Sequence, residues 1–263
     1  MKHMVKGSHS VVRAIVRAAE RLAGSRVAIL VIGERGTGKE LLARHLHFAG
    51  SGHEAPFVRI DCTEGSQLRL EQALFDADSG LGRANGGTLF LDDLGALPMA
   101  LQERLPAALQ SGPARPRVVA SCATNAEDAC RLGRLSDALR RYLDPVELLV
   151  PSLRQRRADV PVLVEHFVGL YAARHGIGAC RFDTDALVHL WQYDWPGNVR
   201  ELESVVERVV VLCRSGVIRT TDLPSHIHGA TGGLRHGPST PPRVTAPAGG
   251  RPRPPPTRLT PPW

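Results

Sequence analysis

Residues 27–32, Val27-Ala28-Ile29-Leu30-Val31-Ile32, run straight into Gly33-Glu34-Arg35-Gly36-Thr37-Gly38-Lys39. The apolar stretch is too short to cross a bilayer and reads as a buried strand. Glycines let the following backbone wrap an anion, and a helix predicted over residues 40–48 aims its N-terminal N–H groups at the same point. This is the GxxxxGK pattern in the context that gives it meaning, with a strand before it and a helix after it. Gly33, Glu34, Gly36, Thr37, Gly38 and Lys39 are therefore candidates for a phosphate cradle, with Lys39 placed to reach the β and γ phosphates of a nucleotide. Glu40 stands where the general pattern has a Ser or Thr on magnesium. Its carboxylate either orients a metal-bound water or stays outside the metal's shell, and both readings remain open.

The rest of the body continues the rhythm. Val11, Val12, Ile15, Val16, Ala19, Leu22 and Ala23 suit one face of a helix, residues 57–60, 89–91, 118–121 and 146–150 read as strands, and residues 99–109 read as a helix stopped near Gly112-Pro113. Strands alternating with helices predict an α/β core, a parallel sheet with helices on both faces. From about Asp159 the pattern is helical throughout, at residues 159–175, 184–193 and 198–213, which predicts a small all-helical second domain hinged near residues 151–159.

Further signals sit at strand and helix ends. Gly86-Gly87-Thr88-Leu89-Phe90-Leu91-Asp92-Asp93 is an apolar strand ending in two carboxylates. Asp92 is placed to hold a magnesium-bound water and Asp93 to polarise an attacking water. Asn125 closes Ser121-Cys122-Ala123-Thr124-Asn125, either as a γ-phosphate contact or as an ordinary turn or cap residue. Arg200 falls in the first turn of a helix opened by Pro196-Gly197-Asn198. An arginine there opposes the helix dipole, so its partner is either an external anion or a nearby acid of the same chain.

The net charge is +7, but no acidic residue follows Asp222, and Arg235, Arg243, Arg251, Arg253 and Arg258 carry five of those charges. The remainder is near neutral, so a DNA-coating body is not what the charge describes. Residues 229–263, crowded with Pro and Gly, cannot build a core and are predicted to be disordered or extended. That segment reads as a solubilising tail, or as a weak contact to nucleic acid or a protein partner. The five cysteines are widely spaced and lack paired metal spacing, so they read as reduced and structural, with redox or metal chemistry as the alternative. The first ten residues hold no apolar stretch of signal-peptide type, which makes the cytoplasm the expected compartment and a membrane partner unexpected.

Together these pieces resemble the AAA+ ATPase domain of the bacterial enhancer-binding activators that work on sigma-54 RNA polymerase. The resemblance runs from about Lys6 to Ile227 and rests on GERGTGKE at 33–40, GGTLFLDD at 86–93, ATN at 123–125, PSLRQRRADV at 151–160 and WPGNVRELE at 195–203. It implies an AAA+ P-loop core over residues 6–155, a helical lid over 156–228 and the Pro/Gly/Arg-rich tail over 229–263. It also implies ATP or ADP and Mg2+ as ligands, with Lys39 as the phosphate lysine, Asp92 the magnesium aspartate, Asn125 the first sensor and Arg200 the second. A glutamate after the loop lysine, as at Glu40, is a habit of that family.

The departures from the family qualify this. The long insertion carrying the GAFTGA loop, which touches sigma-54, has no counterpart between Phe75 and Gly86, so sigma-54 contact by the usual loop is not expected. The family glutamate after the magnesium aspartate is Asp93, one methylene or about 1.5 Å short, and such misplacement can cost on the order of 10²-fold in rate. The asparagine that pairs with that glutamate is Asp61, whose carboxylate would repel Asp93 unless one is protonated. Alignment on Pro151-Ser152-Leu153-Arg154 puts Ser136 and Tyr142 on the two arginine-finger positions, although a one-residue shift lets Arg141 substitute, with Arg134 and Arg140 close by. The 263 residues show no sensor domain before Lys6 and no helix–turn–helix after Ile227. The expected function is a nucleotide-binding regulatory module, transcription-linked, self-associating through its core, acting on an unidentified protein partner, with weak or absent hydrolysis. The alternatives are an active oligomeric ATPase remodelling a partner other than sigma-54, and a regulator acting directly at DNA.

Overall fold

The structure, a computed structural model, describes residues 10–50, 54–76, 80–111, 115–213 and 216–228. The elements run α1 (Ser10–Ala23), β1 (Ile29–Ile32), α2 (Lys39–Ala49), β2 (Phe57–Asp61), α3 (Gln67–Phe75), α4 (Gly80–Arg83), β3 (Thr88–Asp92), α5 (Met99–Gln110), β4 (Arg117–Cys122), α6 (Ala126–Arg131), α7 (Asp137–Leu143) and β5 (Val146–Leu149). They continue with α8 (Val160–His175), β6 (Arg181–Phe182), α9 (Thr184–Gln192), α10 (Asn198–Leu212), β7 (Val217–Ile218) and α11 (Ser225–His228). The predicted tail over 229–263, the link at 77–79 and the Gly112-Pro113 stop lie outside the described residues.

Strands β1 to β5 form one parallel sheet in the order β2-β3-β4-β1-β5. Alternation along each strand sends side chains to both faces, and both faces are covered. Ile29, Val31, Phe90 and Val119 point into a layer with Ala19 of α1 and Leu42 and Leu46 of α2. Leu30, Ile32, Leu89, Leu91, Val118 and Ala120 point into the opposite layer with Leu70, Leu74, Leu101, Leu105 and Leu139. Burial on both sides is why these strands read as continuous apolar runs rather than as alternating ones. Arg117 is the buried exception at the bottom of the sheet; its guanidinium donates to the carbonyls of Ala23 (2.9 Å) and Leu22 (2.8 Å) and ties off the last turn of α1.

The C-terminal helices build their own core around Trp195, with Leu153, Val160, Phe167, Leu190, Leu202 and Val206 among its members. The expectation of an all-helical unit needs one correction. A two-residue parallel pair, Arg181↔Val217 and Phe182↔Ile218, is built into it. The pair ties the connection between α8 and α9 to the chain leaving α10, and it buries Phe182 and Ile218 in that core.

Candidate functional site

The sheet order places β1 between β4 and β5, so the chain leaving β1 emerges where the strand order reverses, the place at which open α/β sheets bind ligands. Residues 33–39 form the turn from β1 into α2. Gly36 (φ +76°) and Gly38 (φ +99°) adopt left-handed backbone that favours glycine, and Gly38 is the residue on which α2 begins. A Cβ at Gly36 would collide with the carbonyl oxygen of Gly197. The first-turn N–H groups of any helix lack intrahelical partners, and residues 36–40 line a cleft of about 440 Å³. Lys39 folds back along the turn, its Nζ donating to the carbonyls of Gly33 (2.8 Å) and Glu34 (3.1 Å). Burial lowers the pKa of this amine, against the pull of Asp92 and Asp93.

The turn is held from outside by the C-terminal unit, residue by residue. Glu34 accepts from both terminal nitrogens of Arg154 and from Asn198 Nδ2 (3.1 Å). The Arg35 carbonyl accepts from Asn198 Nδ2 (2.9 Å), and the Gly36 carbonyl accepts from the backbone N–H groups of Val199 (2.9 Å) and Arg200 (3.3 Å). The Thr37 carbonyl accepts from Arg156 Nη2 (2.9 Å), a guanidinium only 4% exposed beside the buried Asp159. Asn198 is the bolt. It is fully buried at φ +54°, and its Oδ1 accepts from the Leu153 N–H (2.8 Å). Helix α10 thus starts with its orphan N–H groups satisfied by the Gly36 carbonyl, while Glu201 reaches back to the Gly197 N–H (2.8 Å). Hydrogen bonds from Arg154 and Asn198 hold the Glu34 carboxyl below the usual carboxylate range. Arg154, Arg156 and Asn198 lie in two of the motif segments, yet nothing in the sequence assigned them a contact. The signal that was available is the pairing of Asn198 with a preceding Pro-Gly, a turn in which asparagine tolerates left-handed backbone.

The carboxylates gather at the C-terminal ends of β2 and β3. Ser121 Oγ donates to Asp92 Oδ1 (2.7 Å) and accepts from the Asp93 N–H (2.8 Å). Asp93 sits in a left-handed turn (φ 58°) that lifts it off the strand. Asp61 lies beside Asp92 in the ladder. Burial raises the Asp61 carboxyl, but the hydroxyl and N–H of Thr63 and the guanidinium of Arg59 outweigh it and hold the group below the usual range. The carboxylate is therefore ionised and neutralised locally, and protonation is not how the site relieves the charge. Arg59, absent from the sequence reading, contacts Asp92 (2.7 Å), Asp61 (2.6 Å) and Glu40 (3.4 Å). Glu40 is also paired with Arg44 one turn along α2 (2.8 Å).

The cleft gathers Gly36, Thr37, Gly38, Lys39, Glu40, Asp92, Asp93 and Arg200 of the expected set. Gly33 and Glu34 support its rim from behind. Its far wall is apolar, made of Leu163, Phe167 and Leu170 of α8 and Val199 of α10. Arg200 is exposed, and its guanidinium makes no intrachain ion pair among the described residues. Asn125 is not part of this cleft. Its side chain caps α6, accepting from the Asp128 N–H (2.7 Å) and donating to the Asp128 carboxylate (2.9 Å). With Arg140, Arg141, Glu127 and Glu147 it lines a second, polar hollow. Ser136 is a buried cap of α7, and Tyr142 packs against the core, so both finger-aligned positions serve the fold.

Comparison with known proteins agrees with this geometry. Residues 5–121 match the sigma-54 interaction domain family and residues 154–238 match the AAA+ ATPase lid domain family. The chain is 36% identical over 234 residues to the sigma54-dependent transcriptional regulator SfnR of Pseudomonas fluorescens, covering 80% of this chain and 64% of that protein. It is 36% identical over 226 residues to the transcriptional regulatory protein ZraR of Escherichia coli, covering 77% and 51%. The chain thus spans between half and two thirds of the length of these relatives. Among solved structures it is similar to NtrX from Brucella abortus in complex with ATP, with a TM-score of 0.78 and 29% identity over 88% of this chain and 58% of that one. NtrX in complex with ADP matches with the same score over 86% and 56%. The chain is an AAA+ domain of the sigma-54 interaction type, closely related to the sigma-54-dependent transcriptional activators.

Proposed function

We propose that this chain binds ATP or ADP in the cleft between the phosphate turn and the C-terminal helices, and uses nucleotide state to set its assembly with itself and with a protein partner in transcription control. The observation that carries this is the turn itself, whose residues 34–37 are each fixed by the C-terminal unit. A ligand seated there touches both units at once, so its presence is felt in their relative position. The phosphates fit the N-terminus of α2, with Lys39 and the unpaired Arg200 supplying positive charge from opposite sides. The base fits the apolar wall of Leu163, Phe167, Leu170 and Val199. The division into a core over 6–155, a lid over 156–228 and a tail over 229–263 is part of the same proposal.

Hydrolysis is expected to be weak. Asp93 is one methylene short, Asn125 is spent on a cap, and Arg141 lies in the second hollow rather than in the cleft of its own chain. Mg2+ enters this reading only through Asp92 and Glu40, and both are already held by Arg59. The test is to purify the chain, identify the nucleotide it retains, and compare turnover with Lys39→Ala. Retained nucleotide with turnover no greater than that of Lys39→Ala supports the proposal, and fast turnover contradicts it.

One observation favours an active ring as a second reading. Arg141 is exposed and without an ion pair among the described residues, which leaves it available to a neighbouring subunit's phosphates. Concentration-dependent hydrolysis lost in both Arg141→Ala and Asp93→Asn would favour that reading. Among the described residues between α3 and β3 the chain makes only the single turn α4, so any contact with sigma-54 would need a surface other than the family's long loop. Direct action at DNA would rest on the arginines beyond residue 228, and salt-sensitive DNA retention that disappears with residues 229–263 would support it.

A further inference from the structure

The side chain of Arg59 occupies an unusual position. It stands in the middle of β2 on the same side of the strand as Asp61, and it reaches toward the end of the sheet where the carboxylates gather. Its Nε donates to Asp92 (3.3 Å), and its Nη2 donates to Asp92 (2.7 Å) and Asp61 (2.6 Å), with Glu40 at 3.4 Å. Nη1 makes no bond to any described residue, and Arg59 itself lines the cleft beside Lys39. A guanidinium carries five N–H donors in a rigid fork suited to carboxylates and phosphates alike.

Mg2+ in a nucleotide site is usually held by one or two carboxylates together with the phosphates. Here two of the carboxylates that line the cleft are not free to do this. Asp92 gives one oxygen to Ser121 and the other to Arg59, and Glu40 is bracketed by Arg44 and Arg59. Asp92, the carboxylate expected on the metal, is thus engaged at both oxygens and does not fit a resident metal as it stands.

We propose that the Arg59 guanidinium stands in for the divalent cation, neutralising Asp92, Asp61 and Glu40 and offering its remaining N–H groups to the phosphates, so that this chain binds nucleotide without requiring Mg2+. The inference rests on the nucleotide seat proposed above. It gives weak turnover a physical cause. The metal in phosphoryl transfer neutralises the charge that develops between the β and γ oxygens, and a guanidinium already shared among three carboxylates has less to give as that charge grows.

The test is titration of the full chain with ADP and with ATP, in excess EDTA and in excess Mg2+, for the wild type, Arg59→Ala and Arg59→Lys. The wild-type dissociation constant for ADP is expected to change by less than about threefold between the two conditions. Arg59→Ala is expected to bind ADP about tenfold or more weakly in EDTA and to recover with Mg2+, as expected for a lost charge-assisted hydrogen bond. Arg59→Lys, which keeps the charge but not the fork, is expected to fall between them. Mn2+ titrated in the presence of ADP is expected to give a bound paramagnetic signal in Arg59→Ala and little in the wild type. Wild-type binding that collapses in EDTA overturns the inference and leaves the nucleotide seat standing. Arg59→Ala indistinguishable from wild type in both conditions also overturns it. No binding of either nucleotide in any condition overturns the seat and this inference together. If Arg59→Ala fails to fold, the wild-type comparison decides alone.

Discussion

Replacing Asn198 with alanine removes the bolt between the C-terminal unit and the phosphate turn. The side chain makes three hydrogen bonds, from the Leu153 N–H and to the Glu34 carboxylate and the Arg35 carbonyl. Two of these are lost at about 1 kcal/mol each, and the third leaves the Leu153 N–H buried without a partner, a further cost of about 1–3 kcal/mol. Alanine must also hold φ +54°, which adds about 1 kcal/mol for a residue without a side chain suited to left-handed backbone. The expected loss is about 4–6 kcal/mol, a large share of the roughly 5–15 kcal/mol that holds a domain folded. Urea unfolding of the wild type, Asn198→Ala and Asn198→Gly measures it. Glycine relieves the backbone cost, so Asn198→Gly should recover about 1 kcal/mol relative to alanine while still losing the bonds. Nucleotide affinity should fall in both variants because the turn is no longer fixed. A loss below about 1 kcal/mol for Asn198→Ala would contradict this, since the buried Leu153 N–H left without a partner should alone cost at least that much.

Gly36→Ala should abolish the close approach of the two units, because its Cβ meets the Gly197 carbonyl, whereas Gly24→Ala, where nothing lies within 4 Å, should leave stability and nucleotide binding near wild type; thermal unfolding and titration compare them. Arg117→Leu should destabilise the chain by about 2–3 kcal/mol in urea melts by stripping partners from the last carbonyls of α1; Arg117→Lys should rescue little because one ammonium cannot reproduce the fork. The Glu34 pKa is lowered on folding, so its contribution is full above the unfolded value of about 4.3 and is lost as pH falls through the lower folded value. The gap in urea midpoint between wild type and Glu34→Gln should therefore be present at neutral pH and shrink on acidification below pH 4, by a small amount because the pair is solvent-exposed.

The β1–turn–α2 unit was readable from the sequence because strand, glycine spacing, lysine and helix all had to agree on one geometry. The same holds for Asp92, where an apolar run ends in carboxylates. Helices α4, α6 and α7 were not singled out, since each is seven residues or fewer and too short for a helical period to stand above noise. The β6–β7 pair was invisible for a similar reason, as two residues per strand carry no alternation. Asn125 had two readings, and its cap on α6 is the one its hydrogen bonds describe. Arg59 was missed because a lone arginine on one side of a strand reads as a solvated position. Only the register of β2 with β3 brings it against Asp92. What the sequence could not supply was which polar groups meet across two units far apart in the chain. Arg156 to Thr37 and Asn198 to Glu34 are contacts of that kind.

The central claim is a nucleotide seat that binds firmly and turns over slowly. Calorimetric titration of the full chain with ATP and ADP, run beside a phosphate-release assay on the same preparation and on Lys39→Ala, tests it most directly. Saturable binding of both nucleotides is expected, lost in Lys39→Ala, with phosphate release from the wild type no faster than from that variant. Absence of binding, or rapid release that depends on Lys39, would contradict it.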